Sequence, residues 1–448
     1  MKQIFDYISE NESREVEQLV KLARQPSVSA TGQGIAECAT MVREMLEEVG
    51  ASTKLLEIEG ASPVVTGEIH SRKNPSKTLL FYNHYDVQPP EPLDLWESPP
   101  FEPTIRNGVI YGRGVADDKA ELVGRLQLTK AFLQTLGDIP CNFKFLFEGE
   151  EEVGSSNLHA YKRKDPEAFK SDAVVWEFGT VDKNERPEII LGVKGILYVE
   201  LTARNATRDA HSSIAAVIDN PAWRLVEALN TLKKGDKILI PGWTEDVRPF
   251  NKQELQLLEK QPSVESELKS EYGVKQFIGG MKGLDVKKAL AGKPTCTICG
   301  LTSGYSGPKS KTVLPKEAQA KIDFRLVPDQ DAGKLLKKLR RHLDAKGFKD
   351  VQFTFVEEEN PKRTSPDAMI ARAAVEAAKI VHGKQPVTMV SAAGTGPMYL
   401  FEGPAVCIGG GYPSTRAHAP NENARIDLFV KSMKWVAETV SLFAMQAS

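Results

Sequence analysis

Seven histidines are spread over 448 residues, and two of them stand in carboxylate-rich surroundings. His84 and Asp86 belong to Asn83-His84-Tyr85-Asp86. Asp117 and Asp118 close the stretch Gly112-Arg113-Gly114-Val115-Ala116-Asp117-Asp118-Lys119. Four glutamates fall within Glu148–Glu152, and His418 lies in Arg416-Ala417-His418-Ala419-Pro420-Asn421-Glu422. Imidazoles and carboxylates drawn from distant parts of one chain are the donors of a two-metal hydrolytic site, because neither type alone combines affinity with an open coordination position. There the metals acidify a water and polarise a carbonyl, while a nearby carboxylate takes the proton.

Taken singly, each segment has a plainer explanation. Asp before an amphipathic helix is a cap, an acidic run is a solvated turn, and His-x-Asp recurs by chance. Placement argues for chemistry. His84 follows the apolar run Thr78–Tyr82, the glutamates follow Phe143–Phe147 and are closed by Gly154-Ser155, and Asp117 follows Val109–Tyr111. In α/β sheets with parallel members, ligands gather beyond the carboxyl ends of the strands. Asp86, two residues past His84 on the same side of an extended chain, orients the imidazole as a carboxylate partner does for a metal-binding histidine. Adjacent glutamates cannot enter one coordination sphere with equal geometry, so one ligates while its neighbour holds the water.

The elements that position these groups follow from periodicity. Two helices are expected between Ser13 and Val49, divided near Pro26, with Gly50 closing the second. Strands are expected at Val64–Ile69, Thr78–Tyr82, Phe143–Phe147 and Ala173–Trp176, with a helix from Glu121 to Leu136. This alternation predicts an α/β sheet with parallel strands. From Leu191 the texture changes. Lys194–Ala203 and Ala318–Val327 alternate like half-buried antiparallel strands, helices are expected at Pro221–Leu229 and Ala332–Leu343, and the polar stretch Glu245–Lys288 is mostly helical in pattern. After Asp367 a helix to about His382 and a strand at Val387–Val390 restore the α/β character. Residues 1–192 and 363–448 therefore form one domain, and residues 193–362 an inserted α+β module.

With 58 basic and 60 acidic residues the net charge is −2, which leaves no footprint for nucleic acid and no polybasic membrane anchor. No apolar run approaches the roughly 18 residues of a membrane span, and Asp6 and Glu10 interrupt what a signal peptide would keep apolar. Five scattered cysteines fit a reduced, cytoplasmic setting. Cys296 and Cys299 lack a second pair and are expected as two buried strand cysteines. Gly409-Gly410-Gly411 is expected as a tight turn leading to His418, and His70, His159, His342 and His382 as surface residues.

The ordered set of Asn83–Pro89, Tyr111–Lys119, Glu148–Ser155 and Ala417–Glu422, with Trp96-Glu97 and Pro99-Pro100-Phe101 between the first two, resembles the M20 family of di-metal peptidases, and within it the carnosinase-like dipeptidases. The resemblance implies an α/β, phosphorylase/hydrolase-like peptidase domain with a mixed sheet flanked by helices, plus an inserted α+β lid and dimerisation domain. It implies His84 and Glu177 as ligands of one metal, Asp117 as a bridge, Glu152 and His418 as ligands of the other, and Glu151 as general base. It further implies a cis peptide between Asp117 and Asp118. His211 is implied to reach the partner subunit's site and steady the oxyanion, and Arg325 to meet the substrate carboxylate, with Thr312, Gly394 and Thr395 as further substrate contacts. Where carnosinase-like members carry an Arg-Glu-Gly-Gly-Ser-type loop, this chain has Ser391-Ala392-Ala393-Gly394-Thr395-Gly396-Pro397, which bears on the substrate and not on the hydrolytic chemistry. The expected activity is hydrolysis of dipeptides or short peptides with a free C-terminus through a water bridged between two metal ions, zinc ahead of manganese or cobalt, in a homodimer. Two alternatives stand beside it: an N-acyl-amino-acid amidohydrolase using the same site, and a catalytically silent peptide-binding homologue.

Overall fold

The structure is a computed structural model that describes residues 1–446. The chain divides into two compact units. One comprises Met1–Gly192, Arg363–Val390 and the chain from Gly396 onward; the other comprises Val193–Lys362 with Ser391–Thr395.

In the first unit, eight strands form one mixed sheet: β1 (Ser52–Leu56), β2 (Val64–Ile69), β3 (Thr78–His84), β4 (Asn142–Glu148), β5 (Ala173–Trp176), β6 (Glu188–Ile190), β7 (Val387–Met389) and β8 (Ala405–Cys407). Their spatial order is β1-β2-β4-β3-β5-β8-β6-β7. The central set β4, β3, β5 and β8 is parallel, and β1, β2 and β4 pair antiparallel. Parallel strands covered on both faces need nearly continuous apolar runs. Leu79–Tyr82, Phe145–Phe147 and Ala173–Trp176 supply them and are buried. β3 runs to His84, two residues beyond the apolar run, because His84 still pairs with Glu148 of β4.

The longer helices of this unit are α1 (Lys2–Glu10), α2 (Glu12–Arg24), α3 (Ile35–Glu48), α4 (Lys119–Leu136), α5 (Met369–His382) and α6 (Ile426–Met445). Gly50, at φ 82°, returns its N–H to Glu47 after α3, as expected of a closing glycine. α3 packs on β1 and β2, α4 on β3, and α6 on both α4 and α5. At Gly124 the approach of α4 to α6 is close, since a Cβ there would lie 3.4 Å from the Met433 side chain. Val109–Tyr111 is not part of the main sheet; it pairs with Thr104–Arg106 and Asn423–Arg425 in a separate sheet of three.

The second unit is a four-stranded antiparallel sheet in the order Thr297–Ser303, Glu317–Leu326, Gly195–Arg204, Gln352–Glu359. Helices Pro221–Asn230 and Ala332–Ala345 bury Leu225, Leu335 and Leu339 with the inward residues Leu197, Val199, Leu201, Ala320, Ile322 and Phe324. Glu317–Leu326 alternates strictly between buried and more exposed residues, and Leu197, Val199 and Leu201 of its neighbour face the same core. Three short helices occupy the polar stretch, at Lys252–Lys260, Glu265–Tyr272 and Leu284–Gly292.

Several expectations need correction. Cys299 is exposed, because it lies on an edge strand, whereas Cys296 is buried. His342 is buried, its Nε2 lying 3.0 Å from the Thr231 carbonyl oxygen. His382 is half-buried, with its ring edge-on to Trp435 at 5.1 Å. Among the described residues, no helix is long and apolar enough to cross a membrane.

Candidate metal centre

His84, Glu148 and Trp176 are the last residues of β3, β4 and β5, three neighbouring parallel strands. The chain leaves these ends toward one place, and the candidate residues gather there. Donor atoms of His84, Asp117 and Glu152 lie within 4.8 Å of one another, as do those of His84, Asp118 and Glu177. His84 Nε2 lies 3.0 Å from Asp117 Oδ1. His418 Nε2 lies 3.0 Å from Asp117 Oδ2 and 2.9 Å from Glu152 Oε2. Asp117 thus turns one oxygen to each imidazole. The Asp117–Asp118 peptide is cis.

The four glutamates after β4 divide by their partners. Glu148 Oε1 accepts from the Tyr82 hydroxyl at 2.6 Å and from the Ser155 hydroxyl at 2.9 Å. Glu150 accepts from the Ser62 N–H at 2.7 Å and from Asn157 Nδ2 at 2.9 Å. Both are committed to loop packing, leaving Glu151 and Glu152 for the site. Asp86, fully buried, accepts the N–H of Glu151 at 3.2 Å and of Glu152 at 3.1 Å. It also holds His84, whose Nδ1 lies 3.0 Å from the Asp86 carbonyl oxygen and 3.4 Å from Oδ1. The orienting contact is therefore mainly through the backbone.

The electrostatics are those of crowded carboxylates. Burial pushes Glu151 up to about 7; His84 opposes the shift, while Asp117, Glu152 and Asp86 add to it. Burial also raises Glu177, with Glu151 contributing. Hydrogen bonds that His418 donates to Asp117 and Glu152 lift its pKa to about 10. Burial disfavours charge on His84, yet its bonds to Asp117 and Asp86 overcome this and raise its pKa. Six carboxyl groups, of Asp86, Asp117, Asp118, Glu151, Glu152 and Glu177, thus gather around two imidazoles. Glu177 Oε1 accepts from Trp176 Nε1 at 2.9 Å, but its Oε2 is buried without a hydrogen-bond partner. An orphaned buried acceptor is costly, and a cation shared with His84 and Asp118 would satisfy it. Oxygen and imidazole donors in these groups fit divalent zinc, manganese or cobalt.

Four participants escaped the sequence reading. Asp118 sits at the cap position of α4 but makes no side-chain cap bond; its Oδ2 accepts from Asn83 Nδ2 at 2.7 Å and from the His84 N–H at 3.3 Å. Its only sequence signal was the Asp-Asp doublet. Gln88 Nε2 donates to Glu152 Oε2 at 2.9 Å. Glu422 and Arg113, both buried, pair at 2.7 Å behind the site. The turn at Gly409-Gly410-Gly411 is no anion cradle, because the Gly410 N–H donates to the buried Glu121 carboxylate.

The remaining candidates lie in the second unit. His211 Nδ1 accepts from the Ser213 N–H at 3.1 Å, and its Nε2 lies 3.1 Å from Thr312 Oγ1. Arg325 Nη1 donates to Thr395 Oγ1 at 2.6 Å and Nε to Asp323 Oδ2 at 3.1 Å. The Gly394 carbonyl accepts the Lys194 N–H at 2.9 Å. His211 and Thr312 thus form one group, and Arg325 and Thr395 another.

The sequence profile of Peptidase family M20/M25/M40 matches residues 80–442. This chain belongs to that family. It is an M20 metallopeptidase, a metal-dependent hydrolase of peptide bonds with the mixed α/β fold expected of one. The M20 chain is similar in structure to the M20 family metallo-carboxypeptidase Sso-CP2 from Sulfolobus solfataricus, with a TM-score of 0.90 and 40% identity, covering 96% of this chain and 99% of that one. It is 30% identical over 406 residues to the Cys-Gly metallodipeptidase DUG1 of Saccharomyces cerevisiae, covering 85% of this chain and 82% of the relative. It is also 30% identical over 287 residues to the Beta-Ala-His dipeptidase of Homo sapiens, covering 63% of this chain and 56% of the relative.

Proposed function

We propose that this M20 peptidase is a cytoplasmic homodimer that cleaves dipeptides or short peptides bearing a free C-terminal carboxylate, with two zinc ions. The observation that carries the two-metal reading is Asp117, whose two oxygens each lie 3.0 Å from a different imidazole. His84, Asp117 and Glu177 would hold one cation, and Asp117, Glu152 and His418 the other, with Asp118 beside the first. When bound, such cations acidify a water and polarise the scissile carbonyl. Glu148 and Glu150 are held by neighbouring donors, and the Glu151 carboxylate is the group to receive the water's proton and return it to the leaving amine.

The lid residues act on the substrate. Because the Ser213 N–H donates to Nδ1 of His211, the neutral ring carries its proton on Nε2, a donor suited to a developing oxyanion. We assign that donor to the partner subunit's reaction, with Thr312 beside it. Arg325, braced by Thr395 and Asp323, is the cation for the substrate carboxylate, and Gly394 shapes the uncharged loop next to Thr395. The relatives, a metallo-carboxypeptidase and two dipeptidases, support this substrate class.

The test is metal analysis of the purified protein combined with hydrolysis of dipeptides, tripeptides, dipeptide amides and N-acetyl amino acids. Two equivalents of cation and preference for dipeptide acids over their amides are expected, with activity abolished by chelator and restored by zinc or manganese. Preferential release of acetate from N-acetyl amino acids would replace this reading by the amidohydrolase one. Indifference to chelator would remove the metal mechanism.

A further inference from the structure

Glu422 is fully buried and receives four donors from the segment that carries Asp117, the Asp117 N–H among them. Its Oε2 accepts from Arg113 Nη1 at 2.7 Å and from the Gly114 N–H at 2.9 Å. Its Oε1 accepts from the Ala116 N–H at 2.9 Å and the Asp117 N–H at 3.0 Å. Glu422 also lies four residues after His418. Between them, Asn421 accepts the Glu97 N–H at 2.8 Å and donates to the Leu95 carbonyl at 2.9 Å.

The segment needs such anchorage. Arg416, His418 and Asn421 all have positive φ, at 53°, 62° and 63°. Non-glycine residues persist in that region when their surroundings over-determine them. The backbone of Asp117 and the loop of His418 are thereby tied to one buried carboxylate.

We propose that Glu422 is the positioning residue that couples Asp117 to His418 and so builds the second cation site. The inference rests on the two-metal reading given above. His84 ends β3 and Glu177 follows β5, outside this tie, so the first site depends on it less.

Glu422→Gln tests the assignment. The amide is isosteric, but whichever way it is turned its NH₂ faces a pair of N–H donors. Cation content by mass spectrometry, chelator competition and thermal melting would be measured on wild type and variant. Wild type is expected to hold two equivalents. The variant is expected to hold one tightly and the other at least tenfold more weakly, without collapse of the melting transition. Glu422→Asp, which keeps the charge but is one methylene shorter, serves if the amide variant does not fold, with the same selective weakening expected. Arg113→Lys, which leaves the three backbone donors in place, is expected to keep both equivalents. Equal affinity at both sites in the Glu422 variants, or equal loss at both, would overturn the coupling role. Wild type holding fewer than two cations would instead remove the two-metal reading.

Discussion

The peptide N–H of Glu151 donates to Asp86 Oδ1 at 3.2 Å, and the neighbouring N–H of Glu152 to Oδ2 at 3.1 Å. One buried carboxylate therefore sets the backbone under both the proposed base and a proposed ligand, while the same residue's carbonyl oxygen holds His84. In Asp86→Asn the amide must direct its NH₂ at one of those N–H groups. A roughly 10–100-fold loss in kcat/KM with weakened cation binding is expected, as for other partners of metal ligands. Steady-state kinetics and chelator competition measure both, and wild-type values in both would remove the role.

Glu151→Gln keeps the volume and removes the proton acceptor. Turnover should fall by roughly 10²–10⁴-fold, with cation content and melting temperature near those of wild type. Undiminished turnover would mean that another group takes the proton.

His211→Ala should lower kcat more than cation content, since His211 belongs to the second unit and holds none of the candidate ligands. Mixing it with Glu151→Gln subunits should restore part of the activity if partner subunits share sites. Mixtures at several ratios, assayed after exchange, would show no recovery if each subunit uses its own histidine.

His382 offers a pH test away from the site. Burial lowers its pKa from 6.5 to about 4, with Lys431 and Lys384 adding to the shift. The folded pKa lies below the unfolded one, so the stabilisation is fully present above about pH 6.5. It is lost as pH falls toward 4, where the unfolded chain binds the proton more readily. The contribution is on the order of 2 kcal/mol after discounting for partial exposure. Melting temperatures of wild type and His382→Gln, compared at pH 7 and pH 5, should converge at the lower pH. A constant difference between them would show that His382 does not titrate in this window.

Much of the site was legible because parallel strands advertise themselves. The apolar runs ending at Tyr82 and Phe147 placed His84 and the glutamates at strand ends, the family resemblance added Glu177, and His84 lies with Glu152 in one donor group and with Glu177 in another. Asp118 was not legible, because a carboxylate at a helix start looks like a cap until its side chain is seen to bond Asn83 instead. Glu422 was present in a quoted motif without a role, since its partners stand some 300 residues earlier and no local pattern records such a pairing. His342 and Cys299 show the same limit from the other side. Burial on a helix or exposure on a strand depends on what packs over it, here the Thr231 turn in one case and a sheet edge in the other.

β8 lies between β5 and β6 although it comes from residues 405–407, after the whole second unit in the chain. During synthesis, β5 must wait beside an open edge until more than 200 further residues have followed it. An unpaired edge of that kind invites association with other chains. Only when β8 docks does the following segment bring His418 into reach of Asp117. Completion of the proposed second cation site is therefore a late event of biogenesis, and a prematurely ended chain would carry its acidic loops without the His418 imidazole.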